Sequence, residues 1–298
     1  MFKILISVFL VFLSLSHAQA MIQARWFSVA SVLLEDGETQ IMFDPMFTRA
    51  GIKHWLLFSK LKSDEELVTK IIKEHQLNKI TALFASHSHY DHVIDAPMFA
   101  KLTGATFYVD ESSERVAAAY KESKIRTQRF QNLAKIKIGK FTITPIMRRH
   151  SPIRAFDLDW LPGEVPKDFD FGIYDYHVGD TWFYYIEHPE GNILLDQGSE
   201  PNLDKLKPYT TAANFLIQGI ANRSSDDAIL KGYIEKLKPT VFIPTHFDNF
   251  FFAFDPAAET SYLPGIDFEN LMAKLKKAHP GVDVIMPVFG KKIELVRK

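Results

Sequence analysis

The residues with the clearest chemical potential lie in one hexapeptide, His87-Ser88-His89-Tyr90-Asp91-His92, directly after the apolar run Ile80–Phe84. Three imidazoles and one carboxylate fall within six positions. Imidazole nitrogen and carboxylate oxygen are ligands that zinc, iron and manganese take in proteins. A sharp turn after a strand can direct His87 and His89 to one point and Asp91 and His92 to a neighbouring one. The hexapeptide therefore predicts a metal site in which two ions share one loop.

Three more candidate ligands each follow a stretch that is predicted to be a strand: His150 after residues 141–146, Asp196 after 193–195, and His246 after 241–244. Together with the hexapeptide, this gives four strand ends that each deliver a polar ligand. Such ends gather at one edge of a sheet, where the functional sites of α/β proteins lie. We therefore expect His87, His89, Asp91, His92, His150, Asp196 and His246 to converge there.

The elements that position these residues alternate between strands and helices. Arg25–Leu34 is rich in aromatic and β-branched residues and is predicted to be one strand, which Asp36-Gly37 turns back into Gln40–Phe43. Ser63 and Glu66 are spaced as a capping box at the start of a helix. Further predicted helices cover residues 95–102, 112–120, 226–237 and 267–278, and further predicted strands cover 106–109, 136–138, 174–187 and 214–217. This alternation predicts a layered α/β or α+β domain over residues 21–298.

The hexapeptide resembles the H-x-H-x-D-H motif of the metallo-β-lactamase-fold superfamily. His150 in MRRH resembles the third histidine motif of that family, Asp196 in ILLDQG its bridging carboxylate, and His246 in FIPTH its final ligand. Asp44 in MFDP resembles the early aspartate that supports the site. The resemblance covers residues 24–296 and implies an αββα sandwich of two mixed sheets flanked by helices.

The resemblance also implies how the ligands divide between two divalent metal ions, expected to be zinc, with manganese or iron as alternatives. One ion would be held by His87, His89 and His150, and the other by Asp91, His92 and His246. Asp196 would bridge them, although Gly179-Asp180-Thr181 makes Asp180 a competing bridge. Asp91 would also act in catalysis, by orienting a metal-bridging hydroxide for attack on an ester-type bond.

Two aromatic-rich segments follow ligands, at residues 156–176 and 247–254. Loops after ligand-bearing strands usually form the walls of a pocket, so Trp160, His177 and Phe250 are the predicted substrate-binding residues. An apolar wall suits a small-molecule or lipid-like substrate. The alternative is that these rings complete the core or meet a second subunit. For a proton donor the candidates are Tyr176, His177 and His188, each of which also has a structural interpretation.

The first twenty residues are predicted to be a signal peptide, with Lys3, an apolar run and Ala18-Gln19-Ala20 before the cleavage point. The protein is therefore expected to be periplasmic or secreted, without a stable membrane anchor. There is no cysteine, which excludes disulfides and thiolate ligands. The 35 basic and 36 acidic residues give a formal charge of −1, so no nucleic-acid partner is expected.

The sequence thus favours an exported hydrolase with two metal ions, which cleaves a phosphodiester or a lactone. A second hypothesis is an iron-dependent oxidoreductase or dioxygenase of the same fold, which a single iron site would favour. A third is a non-catalytic metal-binding protein. The complete ligand set argues against the third hypothesis.

Overall fold

The computed structural model describes residues 21–121, 124–151, 160–198, 213–255, 260–264 and 266–297. The predicted signal peptide at residues 1–20 lies outside the described residues, as do residues 156–159 of the first aromatic-rich segment. Within the described ranges, no helix combines the length and the apolar composition that crossing a membrane requires.

Strands in the described residues form two sheets. They are β1 (Ile22–Trp26), β2 (Val32–Glu35), β3 (Gln40–Phe43), β4 (Ile80–Phe84), β5 (Thr106–Val109), β6 (Arg126–Arg129), β7 (Ile136–Ile138), β8 (Phe141–Arg148), β9 (Thr181–Glu187), β10 (Ile193–Asp196), β11 (Phe215–Gly219), β12 (Val241–Thr245), β13 (Asp283–Val284) and β14 (Lys292–Leu295). The first sheet has the order β14-β1-β2-β3-β4-β5-β6, and the second has the order β13-β12-β11-β10-β9-β8-β7.

Both sheets are mixed. In the first, β3 to β6 run parallel and the remaining pairs are antiparallel. In the second, β10 to β13 run parallel and β7 to β10 pair antiparallel. Parallel strands of one sheet end at a common edge. The end of β4 in the first sheet carries the hexapeptide, and the end of β12 in the second sheet carries His246.

Helices cover the outer faces. They are α1 (Ile52–Leu56), α2 (Glu65–His75), α3 (Tyr90–Val93), α4 (Ala96–Thr103), α5 (Glu111–Ala118), α6 (Asp226–Ile229), α7 (Glu235–Leu237) and α8 (Phe268–Ala278). A π-helical stretch, Leu230–Ile234, joins α6 to α7, and a 3₁₀ turn covers Ile173–Asp175.

Strand β4 shows how the layers are built. Its alternate residues Ala82 and Phe84 face the second sheet, while Leu83 faces the helices on the other side. Phe84 packs on Tyr184 of the second sheet with ring centroids 5.3 Å apart. Ile229 and Leu271, from helices, join the same core from the far side. The predicted αββα sandwich is therefore confirmed.

Three local predictions are wrong in ways that have physical causes. Residues 25–34 form two strands, because Ser28 and Val29 adopt left-handed φ angles of 78° and 48° and turn the chain. Asp248 holds this turn by accepting hydrogen bonds from the Ser28 hydroxyl and from the Val29 N–H, at 2.8 Å in the latter case. The helix predicted from Ser63 is capped by Asp64, because the Ser63 hydroxyl donates to Asp95. The strand predicted from residue 174 begins at Thr181.

Candidate metal centre

The backbone around the hexapeptide is fixed on both sides. Beyond β4, the Ser86 N–H donates to the Asp44 carboxylate and the Ser86 carbonyl accepts from Trp182 at 2.7 Å. The Ser88 N–H donates to the Val178 carbonyl at 3.0 Å. Helix α3 then begins directly after His89. The motif is thus held by both sheets, although the sequence places it in a loop.

The first ligand group consists of His87, His89 and His150, and one nitrogen of each lies within 4.8 Å of the others. His87 Nε2 and His89 Nδ1 are 3.0 Å apart. The His150 ring centroid lies 4.8 Å from those of both His87 and His89. All three side chains are largely shielded from solvent, and the distances between their nitrogens place these atoms around one small volume.

The second ligand group contains Asp91, His92 and His246. Asp91 Oδ2 lies 3.5 Å from His92 Nε2 and 3.3 Å from His246 Nε2. The rings of His92 and His246 stack at 5.1 Å. His87 also lies within ligand distance of Asp91 and His92, which places the two groups side by side.

His246 reaches this position through a sharp turn after β12. Its φ of 54° lies in the left-handed region, which costs a non-glycine residue about 1–3 kcal/mol. Its N–H donates to the Val29 carbonyl at 2.8 Å, across the gap between the sheets. The turn at Ser28 and Val29, which the sequence did not predict, therefore holds the final ligand.

Neighbouring groups fix which ring nitrogens face the centre. His89 Nε2 lies 2.8 Å from the Trp160 carbonyl, so it carries the proton and leaves Nδ1 as a lone pair. His92 Nδ1 lies 3.4 Å from Asp44 Oδ2 and 3.1 Å from Ser86 Oγ, which leaves Nε2 as a lone pair. Asp44 thus lies behind His92, where the resemblance implied a supporting aspartate.

The electrostatics favour neutral imidazoles in the first group. Burial, with the neighbouring histidines, lowers the pKa of His87 well below its usual range. Burial also lowers the pKa of His89 to about 4 and that of His150 to about 3. For Asp91, burial alone raises the pKa, but His92 and His246 outweigh it and hold the carboxyl below its ordinary pKa. These are the protonation states that a metal ion requires of its ligands.

Two buried ring nitrogens, Nδ1 of His150 and Nδ1 of His246, have no hydrogen-bond partner among the described residues. A buried polar atom without a partner is costly. Five imidazoles and one carboxylate lie close together, with Nδ1 of His89 and Nε2 of His92 facing the centre, and they form a donor set that suits zinc and other first-row transition metals. The six residues therefore fit a metal centre.

The two carboxylates predicted as the metal bridge lie elsewhere. Asp196 is fully buried and belongs to neither ligand group. Its oxygens accept hydrogen bonds from Arg148, from the Tyr233 hydroxyl at 2.6 Å and from the Gly198 N–H at 2.9 Å. Asp180 is also outside both groups, near Glu164 and Glu111, and burial raises its pKa. Because Arg148 of β8 binds both oxygens of Asp196, we expect this carboxylate not to bridge the metal ions, and the variant described in the Discussion tests this.

The centre lies at the base of a pocket with an apolar wall. The wall includes Trp55, Tyr90, Trp160, Phe250, Phe251 and Leu263. Of the three predicted substrate-binding residues, Trp160 and Phe250 line this pocket and His177 does not, and their role in binding a substrate stays a prediction. Trp55 was missed, since nothing in its sequence context links it to a ligand.

The predicted proton donors do not line this pocket. The Tyr176 hydroxyl is buried and donates to the Leu61 carbonyl at 2.8 Å. His188 is paired with Asp36 at 3.4 Å. Both side chains therefore have structural roles, as the alternative interpretation had it.

Comparison with known proteins agrees with this geometry. The family model described as the metallo-beta-lactamase superfamily matches residues 24–178, more than half of the chain. The chain belongs to this superfamily. In this chain the H-x-H-x-D-H motif follows β4 of the first sheet.

Among relatives of the superfamily, a UPF0173 metal-dependent hydrolase of Anaeromyxobacter sp. (strain K) is 30% identical over 173 residues, which cover 55% of this chain and 57% of that protein. A second one, from Thermoplasma volcanium, is 26% identical over 225 residues, which cover 75% of this chain and 85% of that protein. The first alignment thus spans less than two thirds of the relative's length. The solved structure of Igni18, a metallo hydrolase of Ignicoccus hospitalis, has a TM-score of 0.57 at 16% identity and covers 92% of this chain and 97% of that chain. The structural likeness shows the shared fold.

Acidification is expected to destabilise the metal-free protein between about pH 6.5 and pH 4. The pKa values of His89 and His150 in the folded chain, about 4 and about 3, lie below the ordinary value near 6.5. In this window the unfolded chain binds protons that the folded chain does not. Each of the two histidines therefore lowers the free energy of unfolding by about 1.4 kcal/mol per pH unit as the pH falls.

Urea unfolding at several pH values in the presence of a chelator measures this dependence. The variant His89→Ala/His150→Ala is the control, because it should show a shallower loss of stability. Burial lowers the pKa of His92, but Asp91 and Asp44 outweigh burial and raise this pKa above its ordinary value. Protonation of His92 therefore stabilises the folded chain and offsets part of the stability lost at His89 and His150. A stability that rises on acidification in the unmodified protein would contradict the assignment of neutral imidazoles.

Proposed function

We propose that the protein is a metal-dependent hydrolase that uses two divalent metal ions, zinc by preference, to cleave an ester-type bond in a substrate with an apolar group. The observation that carries the proposal is the convergence of six ligands at the base of an apolar pocket. His87, His89 and His150 would hold one ion, and Asp91, His92 and His246 the other. The relatives named metal-dependent hydrolases support the reaction class.

Divalent ions bound to these residues would lower the pKa of coordinated water and polarise the attacked carbonyl or phosphoryl oxygen. Asp91 supplies an ionised carboxylate at neutral pH, and its Oδ2 faces His92 and His246. Such a carboxylate accepts a hydrogen bond from the attacking water and orients it. The indole and phenyl walls reduce competing hydration around the centre, which strengthens each electrostatic interaction there.

The polar groups at the pocket wall are few, and they include Ser151 and Asn222. Ser151 is held in place, since Arg148 donates to its hydroxyl and the Asn222 side-chain amide donates to its carbonyl. An apolar wall with a few polar groups favours an acyl, alkyl or aromatic substituent next to the scissile bond. Both a phosphodiester and a lactone with such a substituent satisfy this requirement.

The test is a panel of phosphodiester, lactone, carboxylic-ester and thioester substrates, each in a short-chain and a long-chain form. We expect turnover of one ester class, its loss with a chelator and its return when zinc or manganese is added. Turnover that a chelator leaves unchanged, in a protein shown to be free of metal, would refute the proposal.

Replacement of Trp160 by alanine is expected to weaken the binding of long-chain substrates and to leave short ones nearly unaffected. Trp160 lines the pocket and is 39% exposed, so little core packing is lost. The lost contact between the indole ring and the substrate should weaken the binding free energy by about 1.5–3 kcal/mol, which corresponds to a rise in KM of about 10- to 150-fold. Steady-state kinetics on both substrates measure the difference.

Phe252→Ala is the matched control, because Phe252 is exposed and adjacent in sequence to the pocket residue Phe251 but lies outside this pocket. It should behave as the unmodified protein does. Phe250→Ala should affect stability as well, since Phe250 is largely buried and packs on the His246 ring at 5.6 Å. An equal loss on short and long substrates in Trp160→Ala, with a lower melting temperature, would show that Trp160 belongs to the core.

A further inference from the structure

A second apolar feature lies on the outer surface beside the pocket. It is residues 52–62, IKHWLLFSKLK, which include helix α1 and the turn after it. Four large apolar side chains of this segment are strongly exposed: Ile52 by 75%, Leu56 by 66%, Leu57 by 74% and Phe58 by 72%. A contiguous apolar surface of this kind is unusual on a soluble monomer and marks an interaction site. We refer to residues 52–62 as the α1 surface.

The α1 surface is anchored to the protein beneath it. His54 is buried, and its Nδ1 accepts a hydrogen bond from the Gly51 N–H at 2.8 Å. The Tyr174 hydroxyl donates to the Trp55 carbonyl at 3.0 Å. The Leu61 N–H donates to the Phe171 carbonyl at 2.7 Å. The exposed apolar side chains are therefore presented by a fixed backbone.

The same surface reaches the mouth of the pocket through Trp55. Trp55 lines the pocket and packs edge-on against Tyr90 at 5.7 Å. Tyr90 in turn contacts Phe250 at 6.3 Å. Phe251 stacks on Phe250 at 4.8 Å and is 54% exposed. A continuous path of apolar side chains thus leads from the outer surface to the metal centre.

The charged residues within residues 52–62 are all lysines. Lys53, Lys60 and Lys62 are exposed, and the segment contains no acidic residue. Lys60 forms an ion pair with Asp170, and the Lys62 ammonium lies over the Phe171 ring at 4.3 Å. Peptide surfaces that lie in the headgroup region of anionic membranes have this composition: tryptophan, phenylalanine and leucine next to lysine, without acidic residues.

We propose that the α1 surface docks the protein on an anionic lipid surface, with the mouth of the pocket facing the lipid. The exposed side chains of Leu56, Leu57 and Phe58 insert among the acyl chains. Lys53 and Lys62 remain at the level of the anionic headgroups, whereas Lys60 stays paired with Asp170. The docking does not depend on the hydrolase activity, although it would bring lipid-like substrates directly to the pocket.

Co-sedimentation with lipid vesicles tests the proposal. The full chain should bind vesicles of phosphatidylglycerol and phosphatidylcholine more tightly than vesicles of phosphatidylcholine alone, and added salt should weaken the binding because it screens the lysines. Leu56→Ser/Leu57→Ser should weaken binding to the anionic vesicles by about tenfold or more. The matched control is Leu133→Ser/Val288→Ser, which removes two exposed apolar side chains elsewhere and should bind as the unmodified chain does.

Tryptophan quenching by vesicles with brominated acyl chains locates the contact. All proteins compared carry the same residues 1–20, so that segment contributes equally to each. The reference protein is Trp160→Phe, because Trp160 also lines the pocket and is 39% exposed. Quenching should fall strongly when Trp55→Phe is added to it, because the remaining Trp26 and Trp182 are buried. Equal vesicle binding by the serine variant and the unmodified chain would overturn the proposal. A dimer in solution that Leu56→Ser/Leu57→Ser dissociates, without vesicle binding by either, would overturn it in favour of a second copy of the chain.

Discussion

Replacement of His87 by alanine is expected to abolish metal binding and to lower kcat/KM by at least about 10³-fold. His87 is the residue shared by both ligand groups, since its nitrogen lies within 4.8 Å of ligand atoms in each. One substitution therefore removes a ligand of the first ion and also removes the imidazole beside Asp91 and His92, the ligands of the second ion. Metal ions contribute several kcal/mol of transition-state stabilisation in hydrolases, which corresponds to this loss of rate.

Metal content and kinetics measured on the same preparation provide the test. His279→Ala is the matched control, because His279 is half-buried at the end of α8 and belongs to neither ligand group. The control should retain full metal content and activity. A His87→Ala protein that keeps both the metal and the turnover would show that the histidine cluster is not the catalytic centre.

Replacement of Asp196 by alanine is expected to destabilise the fold by about 3–5 kcal/mol while leaving the metal content unchanged. The Arg148 and Asp196 side chains are almost completely buried, at 1% and 0% exposure. Removing one member of a buried ion pair leaves the other charge without compensation. For a chain of this size such a loss corresponds to a fall in melting temperature of about 10 °C.

Two further variants separate the ion pair from other effects of the substitution. Arg148→Met/Asp196→Leu should recover much of the lost stability, because a buried pair that is replaced by apolar residues is often neutral. Tyr233→Phe should cost only about 1 kcal/mol, the contribution of one hydrogen bond. Loss of metal in Asp196→Ala with an unchanged melting temperature would instead restore Asp196 as a ligand.

The contrast between Asp196 and the histidines shows what the sequence can predict about this site. His87, His89, Asp91 and His92 are close in sequence, so a turn after one strand suffices to bring them together. His246 follows the strand β12, whose direction can be inferred from the alternation of strands and helices. Asp196 satisfies the same criterion, but its orientation depends on where the Arg148 side chain points, and that is decided by packing.

The turn between β1 and β2 illustrates the same limit for the backbone. Residues 25–34 have the composition of a single strand, and Ser28 and Val29 are not residues that favour positive φ angles. The turn is stabilised by Asp248, which is 220 positions from Ser28 in the chain. Because the stabilising residue is so distant in the chain, the sequence around Ser28 and Val29 does not indicate a turn. The hairpin at Asp36-Gly37 was predictable because Gly37 itself supplies the φ of 86°.

Anomalous diffraction from zinc-loaded crystals is the most direct test of the metal centre. The ligand geometry predicts two anomalous peaks, one enclosed by His87, His89 and His150 and the other by Asp91, His92 and His246. Data collected on both sides of the zinc absorption edge would identify the metal at each position. Two peaks at these residues, with none between Arg148 and Asp196, are the predicted result. The absence of a peak at the histidine cluster in zinc-loaded protein would contradict the account.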